Sequence, residues 1–325
     1  MKAVKNMATE AMIEARNLTK YYGSFLAVEK VNFAIKKGEI LGFLGPNGAG
    51  KTTTMRILTG FIPPTSGEAL VAGYDLVGQS REARAHIGYL PETVPLYTEM
   101  TVQEYLSFMG RLRGMKSGQV RERLSYVIEA CRLEDYYNTF IGKLSKGFRQ
   151  RVGIAQAIIH EPDVLILDEP TVGIDPIQVV ETRQLIKDLA GGHTVILSTH
   201  ILPEVSMLCD RVLIIHEGRI VAEDTPDDLG TKLAGVDRVE AEVEGPRSQV
   251  LEVLRKIRGV IAVTSRPAGK NRNVYRLQAK QGLDLRPTIA RTIVNNNWAL
   301  LNIQLLSMSL EEIFLKLTTE ENLKT

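Results

Sequence analysis

An α/β fold built on a partly parallel sheet, followed by a smaller α+β unit, is what this chain of 325 residues predicts. Two observations carry that expectation. Over roughly the first 225 residues, short apolar runs of strand length alternate with longer stretches of helical period. Beyond Pro226-Asp227-Asp228-Leu229-Gly230 the order becomes strand, helix, strand, strand, helix, strand, which is that of a ferredoxin-like unit. A prior of ~150 residues per domain also favours two. We place them at 12–235 and 236–325, with a helical insertion at about 93–160 inside the first.

Strands of the first unit are read at Ile40–Leu44, Ile87–Leu90, Val164–Leu167 and Val195–Ser198, each a short apolar run. Within the insertion, Thr101-Val102-Gln103-Glu104 is a capping box that opens a helix with Tyr105, Leu106, Met109 and Leu112 on one stripe. Val120, Leu124, Val127, Ile128 and Cys131 form the stripe of a second helix, so Cys131 reads as a packed core thiol. Arg211–Ile215, the turn His216-Glu217-Gly218-Arg219 and Ile220–Ala222 make a hairpin. In the second unit we expect strands at Arg238–Val243, Val260–Ser265, Val274–Ala279 and Leu300–Leu306. Helices are expected there at Gln249–Ile257 and Pro287–Asn296, and a last helix at Leu310–Leu317.

Composition narrows the function classes. Hydrophobic residues at 44% and charged residues at 24% are ordinary globular usage. Forty Lys plus Arg against 38 Asp plus Glu leave +2, too little for the basic footprint of a dedicated nucleic-acid binder. Cys131 and Cys209 stand far apart, which fits a reducing compartment and excludes a disulfide scaffold or a cysteine zinc site. No run approaches the ~20 apolar residues of a spanning helix. Lys5, Asn6, Glu10 and Glu14 break up the start, so no secretory signal is read there, and a cytoplasmic location is expected.

Gly45-Pro46-Asn47-Gly48-Ala49-Gly50-Lys51-Thr52 fits the phosphate-loop pattern G-x-x-x-x-G-K-[ST] and lies between the strand Ile40–Leu44 and a helical stretch opening at Thr53. Glycines let backbone N–H groups and a helix N-terminus face phosphate oxygens. Lys51 would neutralise phosphate charge and Thr52 would offer its hydroxyl to Mg²⁺. The run Val164-Leu165-Ile166-Leu167 ends in Asp168-Glu169, where the first acid can serve the metal and the second can polarise an attacking water. No N-K-x-D base-recognition motif and no H-R-D kinase motif accompanies them.

Between the loop and the acids, Leu144-Ser145-Lys146-Gly147-Phe148-Arg149-Gln150-Arg151 resembles the signature of ATP-binding cassette (ABC) proteins. Three further motifs follow that family's order. Tyr22 in Lys20-Tyr21-Tyr22-Gly23 looks like the ring that stacks on adenine, with Tyr21 as the alternative; Val172-Gly173-Ile174-Asp175 resembles the D-loop; Ser198-Thr199-His200 resembles the switch histidine. His86, His160, His193 and His216 belong to no motif and read as structural. Two departures stand out: Lys146 and Phe148 replace a glycine and the glutamine of the usual signature, and Gly88-Tyr89-Leu90-Pro91-Glu92 carries Glu92 where the family's Q-loop has glutamine.

The resemblance implies a P-loop NTPase cassette with a RecA-like core, an antiparallel β subdomain and a helical insertion. It implies ATP and Mg²⁺ as cofactors, catalytic roles for Glu169, His200 and Glu92, and metal contacts from Thr52, Asp168 and Glu92. Nucleotide contacts would come from Tyr22, Gly45 through Thr53, Ser145, Gly147 and Asp175. In that family the signature of one cassette closes the ATP of another, so a homodimer or paired cassette is expected, with Ser145 and Gly147 acting in trans. Separate integral membrane permeases would form the pathway, docking beside Glu92, Pro95-Leu96-Tyr97 and Tyr105. The overall pattern is similar to bacterial cassettes that serve ABC-2-type exporters of the drug-resistance, sodium-efflux and gliding-motility kind. It places the chain on the cytoplasmic face of the inner membrane, with no nucleic acid expected as partner. The alternative is a non-transport ABC ATPase acting on nucleic acid or ribosomes.

Overall fold

Three segments of the chain are buried along their whole length, and they form the centre of the main sheet: Ile40–Leu44, Val164–Asp168 and Thr194–Thr199. Such uninterrupted apolar strands belong to a parallel sheet covered on both faces. The computed structural model describes residues 11–232, 236–280, 283–306 and Glu312. Backbone contacts divide the chain into two compact units at Pro226/Asp227, ahead of the expected division, because the hairpin that closes the first unit ends at Asp224 and Pro226 opens a new helix.

In chain order the first unit comprises β1 (Ala11–Tyr22), β2 (Phe25–Lys36), β3 (Ile40–Leu44), α1 (Lys51–Leu58), β4 (Ser66–Val71), β5 (Tyr74–Asp75), α2 (Ser80–Ala85) and β6 (Ile87–Leu90). There follow α3 (Val102–Leu112), α4 (Ser117–Ala130), α5 (Lys146–Ile158), β7 (Val164–Asp168), α6 (Pro176–Ala190), β8 (Thr194–Thr199), α7 (Leu202–Leu208), β9 (Arg211–His216) and β10 (Arg219–Asp224); α8 (Pro226–Lys232) starts at the division and opens the second unit. One antiparallel sheet has the order β2-β1-β4-β5, and the main sheet has the order β10-β9-β3-β8-β7-β6, parallel except for β10. The two sheets share one core, in which Ile13, Val28 and Ile35 meet Leu41, Phe43, Met55 and Leu213.

The insertion begins as expected. Thr101 Oγ1 accepts from the Glu104 N–H at 3.3 Å, and Glu104 Oε2 accepts from the Thr101 N–H at 2.9 Å, which satisfies two helix-end donors reciprocally. Two expectations fail. Leu112 is 63% exposed, and Val102 and Gly110 complete the buried face instead. The cause is that α4 meets α3 at Gly110, where Val120 comes to 3.1 Å of the position a Cβ would take. Tyr105 is fully buried, bonded to Gln156 and edge-on to Tyr97, so it has no face left for a docking partner; Tyr97 is half exposed.

After α8 the second unit comprises β11 (Val236–Glu244), α9 (Arg247–Arg255), β12 (Val260–Gly269), β13 (Arg272–Lys280), α10 (Arg286–Asn295) and β14 (Ala299–Leu306). Its four strands lie in the order β12-β13-β11-β14, every neighbouring pair antiparallel. Val239, Ala241 and Val243 face a core with Tyr275, Leu277 and the helix residues Val250, Leu254, Ile289 and Ile293. The alternate residues Glu240 and Glu242 pair across the strand with Arg276 and Arg272, as a period of two requires. The helix expected at Leu310–Leu317 lies outside the described residues, Glu312 apart. Among the described residues no helix is long and apolar enough to cross a membrane.

Helix α5 rides directly on β6, since a Cβ at Gly88 would collide with the backbone carbonyl of Ala157. A backbone atom cannot swing aside as a side chain does, so Gly88→Ala should cost about 1–3 kcal/mol by overpacking. Denaturant unfolding of the full chain checks this; an unchanged midpoint would show that α5 is free to shift.

Candidate functional site

Parallel pairing brings the polar ends of three strands together. Leu44 on β3 pairs with Thr199 on β8, and Asp168 on β7 pairs with Ser198 on β8. The loop after β3, the acids ending β7 and the histidine after β8 therefore meet at the carboxyl ends of adjacent strands, where open α/β sheets bind ligands.

The loop itself needs its glycines. Gly48 and Gly50 have φ of 81° and 104°, in the left-handed region. A Cβ at Gly45 would stand 2.5 Å from the Ile215 carbonyl oxygen, and one at Gly50 would stand 2.6 Å from that of Ala27. The Ala49 N–H donates to the Pro46 carbonyl, and the Gly218 N–H of the β9–β10 turn donates to the Ala49 carbonyl, so the loop is held from below. Gly50 is the N-cap of α1, which aims the helix N-terminus into the loop. The Lys51 ammonium is buried, donates to the Gly45 carbonyl at 2.8 Å and to the Pro46 carbonyl at 3.2 Å, and lies 3.3 Å from Glu169 Oε1.

Asp168 is completely buried. Its Oδ1 accepts from the hydroxyls of Ser198 and, at 3.5 Å, Thr52, while its Oδ2 is buried with no partner. Burial holds its carboxyl above the usual range, opposed by the Ser198 and Thr52 hydrogen bonds and reinforced by the charges of Glu169 and Glu92. A partnerless buried carboxylate oxygen next to a threonine hydroxyl suits a divalent cation that keeps most of its shell from phosphate and water. Glu169 is only 6% exposed and has φ of 50°, a conformation that costs a non-glycine residue about 1–3 kcal/mol. Its carboxylate meets His200 Nδ1 at 2.9 Å.

Gly48, Gly50, Lys51, Thr52, Glu169 and His200 line a cleft of about 590 Å³ together with Asn47, Thr53, Glu92, Val172 and Tyr22, whereas the buried Asp168 is not among its lining residues. Tyr22 lines it and Tyr21 does not, although both rings are equally exposed. The sequence reading missed Phe25, which pairs with Tyr22 across the β1–β2 turn and lines the cleft beside it. The signal was there: a two-residue Gly23-Ser24 turn places residue 25 opposite residue 22.

Ser145, Gly147 and Asp175 do not line this cleft. Ser145 is the N-cap of α5, its hydroxyl accepting from the Phe148 N–H, and Gly147 packs against the Gln178 side chain. Asp175 is the N-cap of α6, with Pro176 following. Glu92 lines both the cleft and a neighbouring one of about 310 Å³ shared with Lys146 and Arg149, so Glu92 and Lys146 open onto the same space, whereas Phe148 packs against Tyr136. His86 bonds to Asp163, His160 to the Ile87 carbonyl and His193 to the Pro162 carbonyl, all away from the site.

Residues 28–172 match the family described as ABC transporter. The linearmycin resistance ATP-binding protein LnrL of Bacillus subtilis is 35% identical over 94% of this chain and 98% of its own length. The probable multidrug ABC transporter ATP-binding protein YbhF of Escherichia coli is 40% identical over 74% of this chain, which spans only 42% of that relative. Among solved structures, an ATP-binding subunit of an ABC transporter superposes with a TM-score of 0.62 at 33% identity, covering 67% of this chain and 91% of that one. The dimeric cassette MJ0796 in a post-hydrolysis state, bound to ADP and Pi, gives 0.60 at 27% identity, covering 66% and 98%.

Because burial disfavours the charged form of Asp168, Asp168→Asn should unfold at the same temperature as the wild type or higher at neutral pH in metal-free buffer. A raised carboxyl pKa means the penalty is absent at low pH and present once the group ionises. The difference should therefore shrink as pH falls into the carboxylate range. Melting curves across pH check it, and a variant clearly less stable at neutral pH would contradict it.

Proposed function

The chain belongs to the family of ABC transporter ATP-binding proteins, and from that premise we propose that it hydrolyses ATP to drive a separate membrane permease, in the direction of export. The carrying observation is the Glu169 carboxylate, held between His200 Nδ1 and the Lys51 ammonium in the phosphate-loop cleft. In this reading the loop N–H groups and Lys51 bind and orient the β- and γ-phosphates. Glu169 takes the proton of the attacking water, and His200 orients that carboxylate from its other side. Tyr22, flanked by Phe25, stacks on the base. Asp168 and the Thr52 hydroxyl would hold Mg²⁺, which when bound neutralises phosphate charge, and Glu92 supplies a further oxygen from the Q-loop position.

Ser145 and Gly147 sit outside their own chain's cleft, which supports a two-fold dimer in which they close the partner's site, with Asp175 in the adjoining loop. An ABC-2-type permease is the fitting membrane partner, docked near Glu92 and the half-exposed Tyr97. That partnership would seat the chain on the cytoplasmic face of the membrane. The names of the relatives, for linearmycin resistance and multidrug transport, support export over a role on nucleic acid or ribosomes. We read residues 12–235 as the ATPase domain, its insertion at 93–160, and 236–325 as a ferredoxin-like accessory domain, which the β12-β13-β11-β14 order supports.

Glu169→Gln tests the site. It should retain ATP binding, lower turnover by about 10²-fold or more, and persist as a dimer in ATP on gel filtration. Steady-state hydrolysis near the wild-type rate would refute the role given to Glu169.

A further inference from the structure

One buried carboxylate outside the motifs touches both flanks of the catalytic pair. Glu204, on α7, is completely inaccessible to solvent. Its Oε1 accepts from the Thr171 hydroxyl, and its Oε2 accepts from the Thr199 hydroxyl at 2.8 Å. Arg183 on α6 stands 3.4 Å from Oε1 and is the cation that offsets the buried charge. Thr171 lies two residues after Glu169, and Thr199 immediately precedes His200. The Thr199 hydroxyl also accepts from the Ile201 N–H at 3.0 Å, and the Thr199 carbonyl accepts from the Gly45 N–H of the phosphate loop at 3.4 Å.

We propose that Glu204 is a positioning residue for hydrolysis: its two oxygens tie the segment leaving Glu169 to the segment entering His200, and so fix the contact between those side chains. A purely apolar residue at 204 could fill the space, but it would leave two buried hydroxyls and Arg183 without their acceptor. The left-handed conformation of Glu169 makes such a clamp necessary, because a strained residue persists only where its surroundings over-determine it. The inference rests on Glu169 and His200 acting on water as described above.

The test separates the hydroxyl from its volume. In the full chain, Thr171→Val keeps shape and removes the donor, whereas Thr171→Ser keeps the donor. Thr171→Val and Glu204→Gln should lower kcat about tenfold to a hundredfold with KM for ATP and nucleotide binding little changed, and Thr171→Ser should restore most of kcat. Thermal unfolding is measured alongside. Equal kcat in the valine and serine variants, or kcat and KM falling together in step with the melting temperature, would overturn the proposal. If Glu204→Gln does not fold, the valine and serine pair alone decides. Glu169→Gln and His200→Ala are run beside them: if those two turn over normally the site reading itself fails, whereas if they stall and Thr171→Val does not, only this inference fails.

Discussion

The parallel pairing of β3, β8 and β7 is the constraint on which the site depends. Backbone hydrogen bonds set Leu44 against Thr199 and Asp168 against Ser198, so three polar strand ends arrive at one level without any side chain having to choose that arrangement. A slip of one residue in either pairing would turn Asp168 or Ser198 to the other face of the sheet. The apolar strands buried on both faces pin the register: every residue of the three strands is buried, so a shift would expose aliphatic groups or bury charge.

On that platform the chemistry is assembled from costly pieces. Asp168 carries a charge that burial disfavours and an oxygen with no partner, Glu169 adopts a left-handed backbone, and Lys51 is buried among carbonyls. The buried charge of Asp168 and the left-handed Glu169 each lower the stability of the fold, as groups held for chemistry commonly do. The supporting groups are correspondingly dense. Ser198 and Thr52 bond to Asp168, His200 and Lys51 flank Glu169, and Glu204 joins the segments on either side.

The cleft and the signature segment stand apart on one chain, an arrangement that the proposed two-fold dimer would bring together. One protomer presents the phosphate loop, the acids and the aromatic wall; Ser145, at the N-terminus of α5, is presented elsewhere on its surface. A helix N-terminus carrying a serine hydroxyl is suited to an anion, and Lys146 adds a charge that the usual glycine lacks. Lys146 and Glu92, two of the residues that depart from the family's motifs, border the same space.

Much of this was legible in the amino-acid order, and the reason is local chemistry. Left-handed glycines, a capping box at Thr101, an apolar run ending in Asp168-Glu169 and the alternation of Val239, Ala241 and Val243 with glutamates each encode their own conformation within a few residues. The sequence determined the phosphate-loop motif, the central strands of the first unit and the order of elements in the second, while the strands Ala11–Tyr22, Phe25–Lys36 and Ser66–Val71 went unread. Only the tertiary structure decided which residues meet: that Tyr22 rather than Tyr21 reaches the cleft, that Phe25 joins it, that Leu112 faces solvent and Tyr105 does not. It also decided that Glu204 gathers Thr171 and Thr199. Those outcomes depend on strand register and helix approach, which arise between segments distant in the chain and leave no periodicity in either one alone.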